Sequence, residues 1–165
     1  MNNPGYIANM KLPDLGIGGS MALWGFRASA AGQSQCCAIV SGYERAFENQ
    51  SDDVLALMLD YARMLGNDGN RRIGLGCSGC GSLTADELSI VAVLASAQLD
   101  ADAATIAHLT WLMGGRPKAD QMELVKNLAL HFLHAGLVIQ LPEISLSDWS
   151  ARPVKNVAIY QSGTA

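Results

Sequence analysis

Cys77 and Cys80 lie in the stretch RIGLGCSGCGSLTADE, residues 72–87, and their Cys-x-x-Cys spacing supports two chemistries. Two thiolates so spaced, with glycines allowing a tight turn between them, can reach one tetrahedral zinc. The same pair can instead cycle between dithiol and disulfide. A single pair is half of a metal site, so further ligands must come from elsewhere. Cys36 or Cys37 could supply one, as could His131 and His134, three apart on one expected helix, or His108 on another. The candidate metal set is Cys77, Cys80, Cys37 and His131, with zinc or an iron–sulfur centre as the cofactor. Each member also has an ordinary structural explanation. Cys36 fits a core stripe as a small hydrophobe, His131 shares a helix side with Leu124 and Leu128, and His134 in a last helical turn suits the helix dipole.

Gly74, Gly76 and Gly79 formally match a dinucleotide fingerprint. That motif works only if the helix begins at the last glycine, so that its N–H groups meet a pyrophosphate. Thr84 followed three residues later by Glu87 is a capping box, which starts the helix at Thr84 instead. The same displacement weakens any stabilisation of a Cys80 thiolate by the helix, leaving Arg71 or Arg72 as the expected nearby cation. Asp86 and Glu87 read as first-turn helix acids rather than an acid/base pair. No Gly-x-Ser-x-Gly elbow, His-Glu-x-x-His or Walker loop occurs, so an enzyme here would have to be metal- or thiol-dependent.

The chain has 165 residues, half of them apolar and 16% charged, enough for one domain with a real core. Its net charge is −4 and it holds only eleven Lys and Arg, which disfavours DNA and anionic membrane surfaces as partners. No run of eighteen apolar residues occurs, so no membrane span is expected. Leu15 to Phe26 is apolar and precedes Ala28-Ser29-Ala30, as a signal peptide might, but Pro13, Asp14 and Arg27 flank it, and the expectation is a cytoplasmic protein of a bacterium. A reducing compartment disfavours structural disulfides and turns attention to metal or redox roles for the cysteines.

The elements that must position these residues follow from periodicity. Residues 1–19 read as an extended N-terminal arm, 20–145 as the helical domain and 146–165 as a C-terminal tail whose NVAIY segment could add an edge strand. A first helix runs from Ser20 to about Ala31 and breaks at Gly32. A second, from Ser34, places Cys36, Ile39, Val40, Tyr43 and Phe47 on one stripe, with Cys36 facing the core. A third, capped by Ser51, presents Val54, Leu57, Met58, Tyr61, Ala62 and Leu65. Arg71 to Leu75 reads as a short strand, and LVIQLPE, from Leu137 and closed by Pro142, as another. Between them lie helices from Thr84, from about Ala103 to Met113 and from Ala119 to His134. The expected fold is mainly α, a single domain of about six helices with a minor two- or three-stranded β element.

LTADELSIVAVLASA, ATIAHLTWLMGG and ADQMELVKNLALHFLHAGLVIQL, within residues 84–142, together resemble the winged helix-turn-helix layout of bacterial regulators. That resemblance implies a third helix reading the major groove, yet its start offers Lys118, Asp120, Gln121 and Glu123, two of them acids. The helix from Thr84 is apolar around almost its whole circumference, so it is either central or shared with a partner. The expected function is therefore a small regulatory or interaction protein acting through helix-mediated protein contacts or as a homodimer, with a cysteine-based metal or thiol switch. A DNA-binding transcriptional regulator and a metal- or thiol-dependent enzyme are the alternatives.

Overall fold

The computed structural model describes residues 6–141 except Ser78, with side chains described from Met10 onward. The tail from residue 146, with its NVAIY segment, lies outside the described residues. The fold is mainly helical with one two-stranded antiparallel sheet. Strand β1 (Tyr6–Lys11) leads through a 3-10 turn into helix α1 (Gly16–Ala30). Helices α2 (Cys37–Phe47) and α3 (Ser51–Arg63) follow, the latter ending in a π turn at Met64–Asp68. Strand β2 (Ser82–Thr84) runs directly into α4 (Ala85–Gln98), followed by α5 (Asp102–Met113) and α6 (Ala119–His134).

Helix α4 is the centre of the domain. From Asp86 to Ala97 every residue is buried, and α1, α5 and α6 pack around it. Its all-round apolarity is thus accounted for within one chain. The first turn of α4 carries the capping box read from the sequence. The Glu87 N–H donates to Thr84 Oγ1 at 3.0 Å, and the Thr84 N–H donates to Glu87 Oε2 at 2.9 Å.

Of the two segments expected as strands, residues 71–75 and the described part of the second, 137–141, belong to no sheet. Side chains at the two ends of α4 take the place of a neighbouring strand. Asp86 Oδ2 accepts the Gly74 N–H at 2.8 Å, and Thr84 Oγ1 donates to the Gly74 carbonyl at 2.7 Å. At the other end, Gln98 Oε1 accepts the Ile139 N–H at 2.9 Å, while its Nε2 donates to the Leu137 carbonyl at 3.0 Å. Backbone groups in a buried segment outside any sheet need partners of some kind, and here carboxylate, hydroxyl and amide supply them. Ile73, Leu75 and Ile139 are buried as a result.

The strands that do pair are β1 and β2, with Tyr6 opposite Thr84 and Lys11 opposite Ser82, and the register shifts between those two pairs. Helix α1 begins at Gly16, four residues ahead of the expected Ser20, and ends as expected before Gly32, whose φ of 72° stops it. The apolar run from Leu15 to Phe26 lies largely within α1, with Leu23 and Phe26 fully buried. No helix among the described residues is long and apolar enough to cross a membrane.

Helix α2 starts three residues later than Ser34. Cys36 has extended backbone (ψ 136°) as the residue before the helix, and the shift in phase leaves Cys36 exposed rather than facing the core, while Ser34 is buried. Helices α1 and α2 meet through reciprocal aromatic-on-glycine contacts. A Cβ at Gly25 would fall 1.8 Å from Tyr43 Oη, and one at Gly42 would fall 2.5 Å from the Trp24 ring. Glycine at both positions leaves the room that the facing aromatic rings occupy. The Tyr43 hydroxyl donates to the Met21 carbonyl at 3.0 Å, and complete burial pushes its phenol far above the ordinary range.

Candidate functional site

The glycine and cysteine corner joins the segment at 71–76 to β2, and Cys77 and Cys80 are linked there by a disulfide. Cys77 is exposed and Cys80 half-buried. The Cys80 N–H donates to the Cys77 carbonyl at 3.0 Å, closing the turn.

The corner rests on a buried ion pair that sequence periodicity does not reveal. Arg27 projects from the last turns of α1, and its Nε and Nη2 donate to Glu87 Oε1 and Oε2 at 2.7 and 2.9 Å, a fork-to-fork arrangement. The two residues are 3% and 0% exposed. Two of the three remaining guanidinium hydrogens go to the corner itself, with Nη1 donating to the Cys80 carbonyl at 2.7 Å and Nη2 to the Ser82 carbonyl at 3.0 Å. Glu87 completes its shell with the N–H groups of Gly76 and Thr84. A desolvated carboxylate and guanidinium are tolerable only when paired and hydrogen-bonded, and here four guanidinium hydrogens and both carboxylate oxygens have partners. The one sequence signal for Arg27 is that it is the lone charge in the otherwise uncharged stretch GIGGSMALWGFRASA.

Gly76 is the close-approach point of this frame. A Cβ there would come 2.8 Å from Arg27 Nη2 and 3.4 Å from Glu87 Oε1. Of the two cations expected near the cysteines, Arg71 is turned elsewhere and Arg72 is exposed. Arg71 Nη2 is paired with Asp86 Oδ1, its Nε donates to the Trp111 carbonyl at 2.6 Å, and its guanidinium lies 5.0 Å from the Trp111 ring centroid. Asp86 and Glu87 are thus both committed to holding residues 71–84 in place, as their position in the first turn of the helix suggested.

The other candidate ligands are not gathered at the corner. Cys37 is exposed in the first turn of α2, next to the exposed Cys36. His131, on α6, has its Nδ1 3.1 Å from Gln50 Oε1. His108 sits half-buried on α5, where burial lowers its pKa from the ordinary 6.5. Among the described residues, no group of three or more His, Cys, Asp or Glu side chains converges as a metal site would require. At the start of α6, Gln121 is buried and occupied at both ends, accepting the Lys118 N–H at 2.8 Å and donating to Asp68 Oδ2 at 3.0 Å.

Two shallow clefts flank the segment at 71–76 and the end of α3, of about 210 and 230 Å³, and neither is lined by a cysteine or histidine. Comparison of the chain with protein-family models, with curated proteins and with solved structures finds no match. The chemistry of the corner therefore has to be argued from its own geometry: an accessible two-sulfur unit on a backbone held from below by a neutralised ion pair.

Proposed function

We propose that this chain is a small regulatory or interaction protein whose responsive element is the Cys77/Cys80 pair, working as a dithiol–disulfide switch. The observation that carries this reading is the Cys77–Cys80 bond at an exposed corner whose flanking carbonyls are fixed by Arg27. A pair so placed can be opened and reclosed without disturbing the helices, because the frame beneath it does not depend on the sulfurs.

The exchange balances as follows. The thiolate of a small thiol or protein dithiol attacks the exposed Cys77 sulfur, and Cys80 leaves as a thiolate that takes up a proton. A second donor thiolate attacks the mixed disulfide, releasing Cys77 as a thiol and the donor as its disulfide. Two electrons pass from donor to pair. Because Glu87 neutralises Arg27 and α4 begins only at Ala85, neither Arg27 nor a helix N-terminus offers the Cys80 thiolate the usual stabilisation. Such a pair is suited to sensing an ambient thiol pool rather than to acting as a strong oxidant.

The output is contact with another protein, as the chain's acidic balance and few cations favour. The burial of α4 within one chain moves any such contact to apolar side chains left outside the core, among them Leu130 and Leu133 of α6, 45% and 38% exposed. The test is trapping of the mixed disulfide. With Cys80→Ser, oxidised glutathione should modify Cys77 in the folded chain, located by peptide mass analysis. Modification of Cys36 or Cys37 alone, with Cys77 inert, contradicts the reading.

A further inference from the structure

We infer that the N-terminal strand β1 reads the redox state of the corner, being held when Cys77 and Cys80 are joined and loosened when they are reduced. This rests on the reading of the pair as a reversible disulfide. Three consecutive residues after the bond carry the coupling. The Cys80 carbonyl accepts from Arg27 Nη1 at 2.7 Å, the Gly81 carbonyl accepts the Leu12 N–H at 2.7 Å, and Ser82 pairs with Lys11. The disulfide, spanning a sequence separation of 3, thus fixes the residue next to the β1 attachment point.

Strand β1 is the element most open to such control. Its sheet has only two strands, β2 is three residues long, and the register shifts within it. Two-stranded sheets are marginal on their own. The corner between the two ends of the coupling contains Gly79 and Gly81, whose surroundings are open, so once the ring is opened little confines it except the Arg27 contacts.

The structure also marks where loosening stops. The Leu12 carbonyl accepts from Ser20 Oγ at 2.7 Å, and Leu15 is buried, 2% exposed, so the chain from Leu12 onward remains fastened to α1. The Lys11 N–H likewise donates to Asp14 Oδ2 at 2.7 Å, so the released piece is residues 6–10, and its departure bares the backbone edge of Ser82–Thr84. Arg27 and Glu87 keep β2 in place during the change, since Ser82 and Thr84 bond to them independently of β1.

Amide hydrogen exchange on the full chain, oxidised and then reduced with dithiothreitol, tests the inference, with thiol titration of the same samples. Exchange at the Leu12 amide and through residues 6–10 should rise by about tenfold on reduction, the scale of the entropy a small disulfide loop removes, while Met58 and Val93 in the core stay unchanged. Tryptic cleavage after Lys11 should accelerate in parallel, and Cys77→Ser with Cys80→Ser should behave as the reduced chain. If titration shows the pair reduced and exchange at Leu12 does not move, the coupling is absent although the switch exists. If oxidised protein already titrates four free thiols, the switch itself fails and the coupling with it.

Discussion

Arg27 and Glu87 meet as a bidentate ion pair across a sequence separation of 60, buried beneath the only surface-exposed disulfide among the described residues. The contact ties the end of α1 to the first turn of α4, and through the same guanidinium to the carbonyls of Cys80 and Ser82. A single side chain thereby joins the helical core to the corner where the chemistry is proposed.

Removing one member of that pair leaves the other charged and desolvated. Arg27→Met or Glu87→Gln should destabilise the fold by about 3–5 kcal/mol in urea unfolding. Replacing both together should cost clearly less than the sum of the two single changes, because neither orphaned charge remains. Simple additivity would show that the pair is not a coupled unit.

Thr84 serves two partners at once, accepting the Glu87 N–H and donating to Gly74. Thr84→Ala should therefore exceed an ordinary cap loss and cost about 2 kcal/mol, with Thr84→Ser recovering most of it. Thermal unfolding of the two variants decides this. Equal losses for alanine and serine would place the effect in the methyl group rather than the hydroxyl.

At the contact of α1 with α2, Gly25→Ala drives a methyl into the Tyr43 phenol. Overpacking of this kind costs about 1–3 kcal/mol. Combining it with Tyr43→Phe, which removes the hydroxyl that the methyl would strike, should recover part of the loss in chemical denaturation, whereas Tyr43→Phe alone should weaken the fold slightly.

His108 gives the fold a pH dependence of known sign. Burial lowers its folded pKa below 6.5, so the unfolded chain binds the proton more readily than the folded one. Its contribution to stability is complete above pH 6.5 and is lost as pH falls through the folded value. The melting temperature of His108→Gln should accordingly fall less than that of the parent chain between pH 7 and 5. A parallel decline would assign the dependence to other groups.

The local features of this fold are legible in the sequence and the long-range ones are not. The capping box at Thr84 and Glu87, the breaks at Gly32 and Gly114 and the central place of α4 depend on neighbours a few residues apart, so spacing reveals them. The segments at 71–75 and 137–141 have the composition of strands, but their partners are Asp86, Thr84 and Gln98 side chains, which no periodicity announces. Strand β1 is not legible in the sequence, because the arm holding it has no sustained alternation and its partner is three residues long. A helix begun at Ser34 turns Cys36 inward, whereas α2 begins at Cys37 and leaves Cys36 exposed. At the corner, the sequence marks Cys77 and Cys80 as a pair, yet Arg27 is brought to them only by tertiary packing.

The most direct measurement is a thiol count on the full chain, purified without chelators and equilibrated across glutathione redox buffers, with zinc and iron determined on the same samples. Two thiols should titrate under oxidising conditions and four under reducing ones, with a reversible midpoint assigned to Cys77 and Cys80 by peptide mapping and no stoichiometric metal. Four thiols at every potential, or one metal per chain that blocks Cys77 and Cys80 from titration, contradicts the account.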